Sequence, residues 1–495
     1  MSTPSITKSR SSGKPVRWKR VGVMDVGSNS VRLVVYDVRG RAMQPRFNEK
    51  VLAGLGRGLT SSGSLNKEGV EIAIAALSRF ASITRAQKVE ALFPFATAAV
   101  REALDGKEFV ERVKKETGVT LRILTGDDEA RFAAEGVLAG TPGVDGVAGD
   151  LGGSSLELAR LVSGRYEGGS TYPLGPLALD SGGGYNEDKV VARVKEVLAG
   201  APELKKSGDV FFAVGGAWRA IGTLHMELTR APLHMLQNYE MDAADLLKML
   251  GEIVNSKKYA DLLQEVARKR AATIPYAAAV LRNVIELGKF KTVMISSYGV
   301  REGIIFDSLD AGERQEDPLD AGLDALIPDE HAAEFGRALA EWASEAAPYT
   351  LNARLSAAAC RLVDIGALLH PDHRADLAFD LVARAPLPGL SHRDRAALAL
   401  AVASRFKRGL RNDVSEKLLD PIQAGRARAL GALMRLAADF SGRSADLLKH
   451  AKLTCDGDTL SLRVAAPYRA LVSESVERRL EQAADELDMD YALIT

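Results

Sequence analysis

The sequence predicts an α/β fold in which two related α/β domains face each other across a cleft, followed by an all-α region and a small α+β segment. Residues 147–150 read as a buried strand ending in Asp150, followed by a Gly152-Gly153-Ser154-Ser155 turn and a second strand that opens Leu156-Glu157. Residues 21–38 have the same build: an apolar strand bearing Asp25, a Gly27-Ser28-Asn29-Ser30 turn, and a departing apolar strand. A glycine turn between strands is by itself an ordinary hairpin. Two such turns, each beside a strand-end aspartate, suggest duplicated half-sites, because glycine admits close backbone approach and successive turn N–H groups can cradle a phosphate. The third observation is compositional: beyond Ser308 the chain turns alanine- and leucine-rich with helical periodicity.

Residues 1–20 are rich in Ser, Lys and Arg and are expected to form a disordered tail. After the first hairpin, residues 46–55 read as a third strand and 54–59 as a loop, since those glycines lack the βαβ context of a dinucleotide fingerprint. Asn66 is expected to cap a helix running to about residue 86, with Val70, Ile74, Ala75 and Leu77 on its apolar face. A buried strand at 89–96, a helix at 106–117, a strand at 121–124 and a helix opening at Asp127 complete a first domain, taken as 21–135. The second domain, 136–310, has further strands at 165–173, 210–214 and 292–297 and helices at 187–198, 244–254 and 271–287. Residues 309–320 are acidic and bear Gly and Pro, as a linker would. A helical domain is expected over 311–447 and a small α+β domain over 448–495, with a hairpin around Asp456-Gly457-Asp458.

The 65 basic and 65 acidic residues balance, which argues against a dedicated nucleic-acid or membrane-surface binder. Two cysteines, Cys360 and Cys455, indicate no disulfide framework, and a reducing cytoplasm fits. No apolar run reaches the roughly 18 residues of a membrane span, and the first residues lack the apolar segment of a signal peptide.

Six motifs occur in order: Asp25-Val26-Gly27-Ser28-Asn29-Ser30-Val31-Arg32-Leu33, Ala96-Thr97 through Arg101, Glu129-Ala130-Arg131, Asp150 through Glu157, Val214-Gly215-Gly216, and Tyr298-Gly299-Val300-Arg301-Glu302-Gly303. On these residues the chain resembles the exopolyphosphatase / guanosine pentaphosphate phosphohydrolase (Ppx/GppA) family, over about residues 20–310 and more loosely beyond. The resemblance implies two actin-like (ASKHA, RNase H-like) domains around the cleft. It also implies that Glu129 is the general base activating water, in keeping with a reaction whose catalysis is mostly positioning and charge stabilisation. Without the resemblance, Glu129 reads as one more acid in a first helical turn, where the dipole favours carboxylates.

By the same resemblance Asp25, Asp150 and Glu157 would hold Mg²⁺ (or Mn²⁺), a hard cation suited to oxygen ligands. Arg32 and Arg101 would bind phosphate, with Arg270 near the interdomain cleft. Ser28, Asn29, Ser30, Gly152, Gly153, Ser154 and Ser155 would supply hydroxyl and N–H donors. On their own Asp25 and Asp150 can also be read as strand-end turn formers, Glu157 as a mid-strand acid facing solvent and Arg270 as a solvated helix end. Three departures stand out: Ser154 replaces a usual third glycine, Ala272 replaces a usual acid, and Trp218 brings bulk expected to weaken a nucleoside pocket.

The C-terminal helical region resembles the HD-type domain of long family members, without its metal ligands: Val363 stands where the histidine beside Asp364 would be, and residues 401–405 lack another. His370, Asp372 and His373 have a spacing that suits a loop. No second active site is expected. The region is expected to extend a basic polyphosphate channel through Arg405, Lys407, Arg408 and Arg411 and to build a homodimer interface. The leading expectation is an exopolyphosphatase acting on inorganic polyphosphate, favoured by the long form and by Trp218. The alternatives are a phosphohydrolase of guanosine pentaphosphate, with guanosine tetra- and pentaphosphate as ligands, and a non-catalytic polyphosphate or nucleotide sensor, which the intact Glu129 speaks against.

Overall fold

A computed structural model describes residues 17–180, 184–205, 208–253 and 257–495; most of the expected tail, 1–16, lies outside the described residues. Strands β1 (Lys19–Val26), β2 (Ser30–Arg39) and β3 (Ala42–Leu52) form an antiparallel meander. Strand β4 (Ala91–Ala96) joins β1 in parallel and β5 (Arg122–Ile123) joins β4 in parallel. The second sheet comprises β6 (Gly146–Leu151), β7 (Leu156–Val162), β8 (Arg165–Tyr172), β9 (Val210–Val214), β10 (Tyr239–Asp242) and β11 (Thr292–Ile295). The strand orders are β3-β2-β1-β4-β5 and β10-β11-β9-β6-β7-β8. With β10 set aside the two sheets share one topology and one set of strand directions, the duplication that the paired turns suggest.

Local chemistry explains most boundaries. The Asn66 side chain caps its helix by accepting from the Gly69 N–H at 2.8 Å, as the sequence indicates. Strand β3 starts at Ala42 rather than 46, because Gly40 takes φ 48° and closes β2 onto β3 through a two-residue turn. The helix expected from 271 begins at Ile274, with a proline in its first turn, behind a separate 3₁₀ turn at Arg268–Arg270.

The helix Gly126–Gly140 runs across residue 135, the expected domain boundary. It packs on β6, β7 and β8 and on the helix Val300–Asp307. Two glycines permit that crossing: a Cβ on Gly303 would stand 1.8 Å from the Phe132 carbonyl oxygen, and one on Gly136 would stand 2.2 Å from that of Gly299. The two motifs bearing Glu129 and Arg301 are thereby pressed together.

The segment expected as a linker is instead two short helices, Ala311–Gln315 and Pro318–Leu323, capped by the side chains of Asp310 and Asp317. Leu319 and Leu323 are buried in the helical core, and Asp317 is held by Arg354 at 2.8 Å. The C-terminal sheet of β12 (Ala451–Asp456), β13 (Thr459–Val464) and β14 (Asp490–Ile494) shares that core, with Leu453, Leu462 and Leu480 packed in one cluster with Phe335, Leu400 and Leu433.

Asp364 is buried and ion-paired to Arg405 at 3.2 Å and Arg443 at 3.5 Å. Arg405 also donates to the Val363 carbonyl, and Arg408 pairs with Asp485 at 3.0 Å. Arg405 is therefore spent on buried structural partners, which corrects its expected place in a channel, whereas the Arg408 pair is half-exposed.

Candidate active site

The two turns meet at the base of a cleft of about 350 Å³ between the lobes, and every expected site residue except Arg101 lines it. Each turn closes by one hydrogen bond, Gly27 N–H to Ser30 O at 3.0 Å and Gly152 N–H to Ser155 O at 2.9 Å. Flanking loops take up the turn carbonyls: Gly54 and Gly56 donate to Asn29 and Ser28, and Gly175 and Leu177 donate to Ser154 and Gly153. The N–H groups of Ser28, Asn29, Gly153 and Ser154 have no partner among the described residues. Ser28 is buried and Gly153 and Ser154 are half-buried, and such amides do not stay unpaired without cost; turns of this kind can accept an anion.

Register arranges the charges. In the first sheet Asp25 lies beside Arg32, and Arg32 beside Lys50. At the equivalent position of the second sheet Asp150 lies beside Glu157, and Glu157 beside Thr171. The duplicated rows have therefore diverged, one to cations and the other to an acid and a neutral hydroxyl. Among the described residues five cationic side chains line the cleft: Arg32, Lys50, Arg219, Arg270 and Arg301. Among the described residues only Arg301 has a carboxylate within 4 Å, the Asp25 Oδ2 at 3.2 Å. Arg32 Nε donates to Asn48 Oδ1 at 2.8 Å and Arg219 Nη1 to the Ser297 carbonyl at 3.2 Å. Burial, and then Arg301, bring Arg219 down to about 10. Positive charge crowded into a desolvated cleft is in search of an anion.

Sequence reasoning missed Lys50, Arg219 and Arg301. The motif Tyr298–Gly303 was a signal for Arg301, but nothing local tells that its guanidinium reaches β1. Behind it, Glu302 accepts from the Tyr36 hydroxyl and from the Gly299 N–H at 2.9 Å.

Glu129 sits in the first turn of a helix whose Thr125–Asp128 capping box fixes the entry of the chain. Glu129 is 6 % exposed, and its carboxylate is bonded by Arg101 Nη1, which also donates to the Leu124 carbonyl at 2.7 Å. Arg101 thus pairs with Glu129, as a buried carboxylate needs a compensating charge, and it is not among the residues that line the cleft. Burial pushes Glu129 up to about 7 against the pull of Arg101. Burial likewise raises Asp150 to about 6, opposed by Arg219 and Arg301. Burial, then Glu129 and Asp150, hold Glu157 well above the usual carboxylate range.

The donor set is all oxygen, which suits a hard divalent cation, and the buried Glu157 Oε1 has no hydrogen-bond partner. Among the described residues, however, no three acidic, histidine or cysteine side chains converge to hold a metal by themselves. The expected set of Asp25, Asp150 and Glu157 therefore does not close as a three-carboxylate site; Arg301 holds Asp25 through Oδ2 alone. Mg²⁺ commonly takes one or two carboxylates and completes its shell with phosphate oxygens and water, and Asp25 with Asp150 fits that pattern.

Trp218 does not face the cleft. It is fully buried, donates Nε1–H to the Ala277 carbonyl at 3.0 Å and meets Phe211 edge-on. The expectation that its bulk narrows a nucleoside pocket is therefore corrected: helical periodicity points it into the core of the second lobe, while Gly216, Ala217 and Arg219 line the cleft.

Comparison with known proteins matches residues 34–311 to the Ppx/GppA phosphatase family and residues 329–494 to the exopolyphosphatase C-terminal family. Exopolyphosphatase 1 of Mycobacterium leprae is 30 % identical over 316 residues, 59 % of this chain and 90 % of that one. The guanosine-5'-triphosphate,3'-diphosphate pyrophosphatase of Vibrio vulnificus is 23 % identical over 474 residues, 90 % of this chain and 92 % of that one. The crystal structure of the Aquifex aeolicus member of the Ppx/GppA family superposes with TM-score 0.53 at 21 % identity, covering 61 % of this chain and all of that one, which is a likeness of fold. No described helix is long and apolar enough to cross a membrane.

Proposed function

This chain belongs to the Ppx/GppA phosphatase family, and from that premise we propose that it is an exopolyphosphatase, releasing orthophosphate from the end of inorganic polyphosphate. The observation that carries the reading is the cleft itself: among the described residues, five cations and two unpaired amide turns surround it, and Phe95, the one aromatic in its lining, is only 2 % exposed. Such a lining grips phosphates and leaves a nucleobase no face to stack on.

In this mechanism the terminal phosphoryl group rests on the Ser28–Ser30 and Gly152–Ser155 turns, with Arg32 and Arg219 on its oxygens. Glu129 accepts a proton from water as the water oxygen attacks phosphorus. The bridging P–O bond breaks, and orthophosphate leaves with a chain one phosphate shorter. Arg101 orients Glu129 and keeps part of its population ionised. Mg²⁺ or Mn²⁺ held by Asp25 and Asp150 would neutralise phosphate charge. A cytoplasmic homodimer is part of the same reading, on the strength of the cysteine usage and the appended C-terminal region.

The Vibrio relative aligns over nearly the whole chain, which favours guanosine pentaphosphate as the second reading. The test is phosphate release with Mg²⁺ on long-chain polyphosphate and guanosine pentaphosphate in parallel, with Glu129→Ala and Glu129→Gln as controls. Faster release from polyphosphate, lost in both variants, is expected; release mainly from the guanosine compound would transfer the protein to the second reading.

A further inference from the structure

The cleft holds more positive charge than its acids use, and the surplus lies in one direction. The row Asp25, Arg32, Lys50 crosses three successive strands. Adjacent strands lie about 4.8 Å apart, which sets the Lys50 backbone roughly 10 Å from that of Asp25. The equivalent row of the second sheet, Asp150, Glu157 and Thr171, offers no cation. Lys50 lines the cleft and makes no ion pair or side-chain hydrogen bond among the described residues.

Arg270 faces it from the second lobe. Its guanidinium lies so close over Gly216 that a Cβ there would stand 2.4 Å from Nη2, and it too has no acidic partner among the described residues. The two charges feel each other: after desolvation, Arg270 is the largest influence holding the Lys50 ammonium below its ordinary pKa. An anion between them would relieve like charges brought together from two lobes.

We propose that Lys50 and Arg270 form a cross-cleft clamp on an interior phosphate of a linear polyphosphate, making Lys50 a determinant of chain length. The proposal rests on the reading of the cleft as a polyphosphate site and adds to it a direction for the chain. The terminal phosphoryl group occupies the turns beside Asp25 and Asp150, and the chain runs outward along the cationic row. Pyrophosphate seated at the turns ends short of Lys50; longer chains reach it and are held by both lobes at once.

The test is equilibrium binding of pyrophosphate, tripolyphosphate and long-chain polyphosphate by calorimetry, in a Glu129→Gln parent that cannot consume them. Adding Lys50→Gln should weaken the two longer ligands about tenfold, the scale of one charge-assisted hydrogen bond, and leave pyrophosphate within about twofold. Lys50→Arg should restore the longer ligands. Arg270→Gln should act in the same direction, and the double variant should lose less than the product of the singles, because both residues grip one phosphate. Lys50 lies on the edge strand of its sheet, so its replacement leaves the core intact, and the circular dichroism spectrum checks this. Equal weakening of all three ligands, or of none, overturns the clamp while the polyphosphate reading stands. A Glu129→Gln parent that binds no polyphosphate, with a wild type that releases no phosphate, overturns both.

Discussion

The Tyr36 hydroxyl of the first lobe donates a hydrogen bond to the Glu302 carboxylate of the second. Tyr36 is 3 % exposed and Glu302 5 %, so the bond lies in the buried wall that joins the lobes behind Asp25 and Arg301. Tyr36→Phe removes the donor and leaves a buried carboxylate oxygen short of a partner. A loss of about 1–3 kcal/mol is expected in urea unfolding. Glu302→Ala should cost more, because Arg301 would keep Asp25 but lose a buried counter-charge. Equal stability of Tyr36→Phe and wild type would show that the bond does not hold the lobes.

Glu129 must be ionised to accept a proton. Its folded pKa is pushed up to about 7 by burial, with Arg101 pulling it down. Hydrolysis should therefore fall as pH drops through about 7, and kcat/KM should follow one protonation. Arg101→Met removes the opposing influence and should move that limb to higher pH, while Arg101→Lys should keep it nearer its place. A limb unmoved by Arg101→Met would assign the titration to another group.

His392 is buried beside Arg395, and burial followed by that positive neighbour brings its pKa down to about 4. The unfolded chain binds a proton at this side chain below about 6.5, and the native state does not until about 4. More protons on the unfolded state means that stability falls as pH falls through this window, by up to about 3 kcal/mol from this one group. His392→Gln should remove that part of the slope. The check is the difference between wild-type and variant urea midpoints from pH 7 to pH 4.

Trp218→Phe loses the Nε1–H bond to Ala277 and some packing against Phe211. About 2 kcal/mol of stability should go with them. The ratio of activity on polyphosphate to that on guanosine pentaphosphate should not change, since the side chain does not reach the cleft. A shift in that ratio would return Trp218 to a role in substrate choice.

Much of this protein was legible from short stretches of sequence. Strand alternation, the two glycine turns and the cap at Asn66 depend on neighbours a few residues away, and the helices Gly106–Thr117 and Glu187–Leu198 fall where periodicity places them. The likeness between the two aspartate-bearing turns was enough to anticipate the duplicated lobes and the cleft. What remained hidden depends on pairs far apart in the chain. Arg301 meets Asp25 across 276 positions and Tyr36 meets Glu302 across 266; which buried charge finds which partner follows from how the helices cross at Gly136 and Gly303, and no local pattern encodes that crossing. The same holds for Trp218, turned into the core, for Arg101, turned to Glu129, and for Lys50, brought into the cleft by strand register. Sequence determined the elements and their chemistry, through interactions of short range. Only the tertiary structure decided how the charges pair, because electrostatic and packing partners are chosen in space.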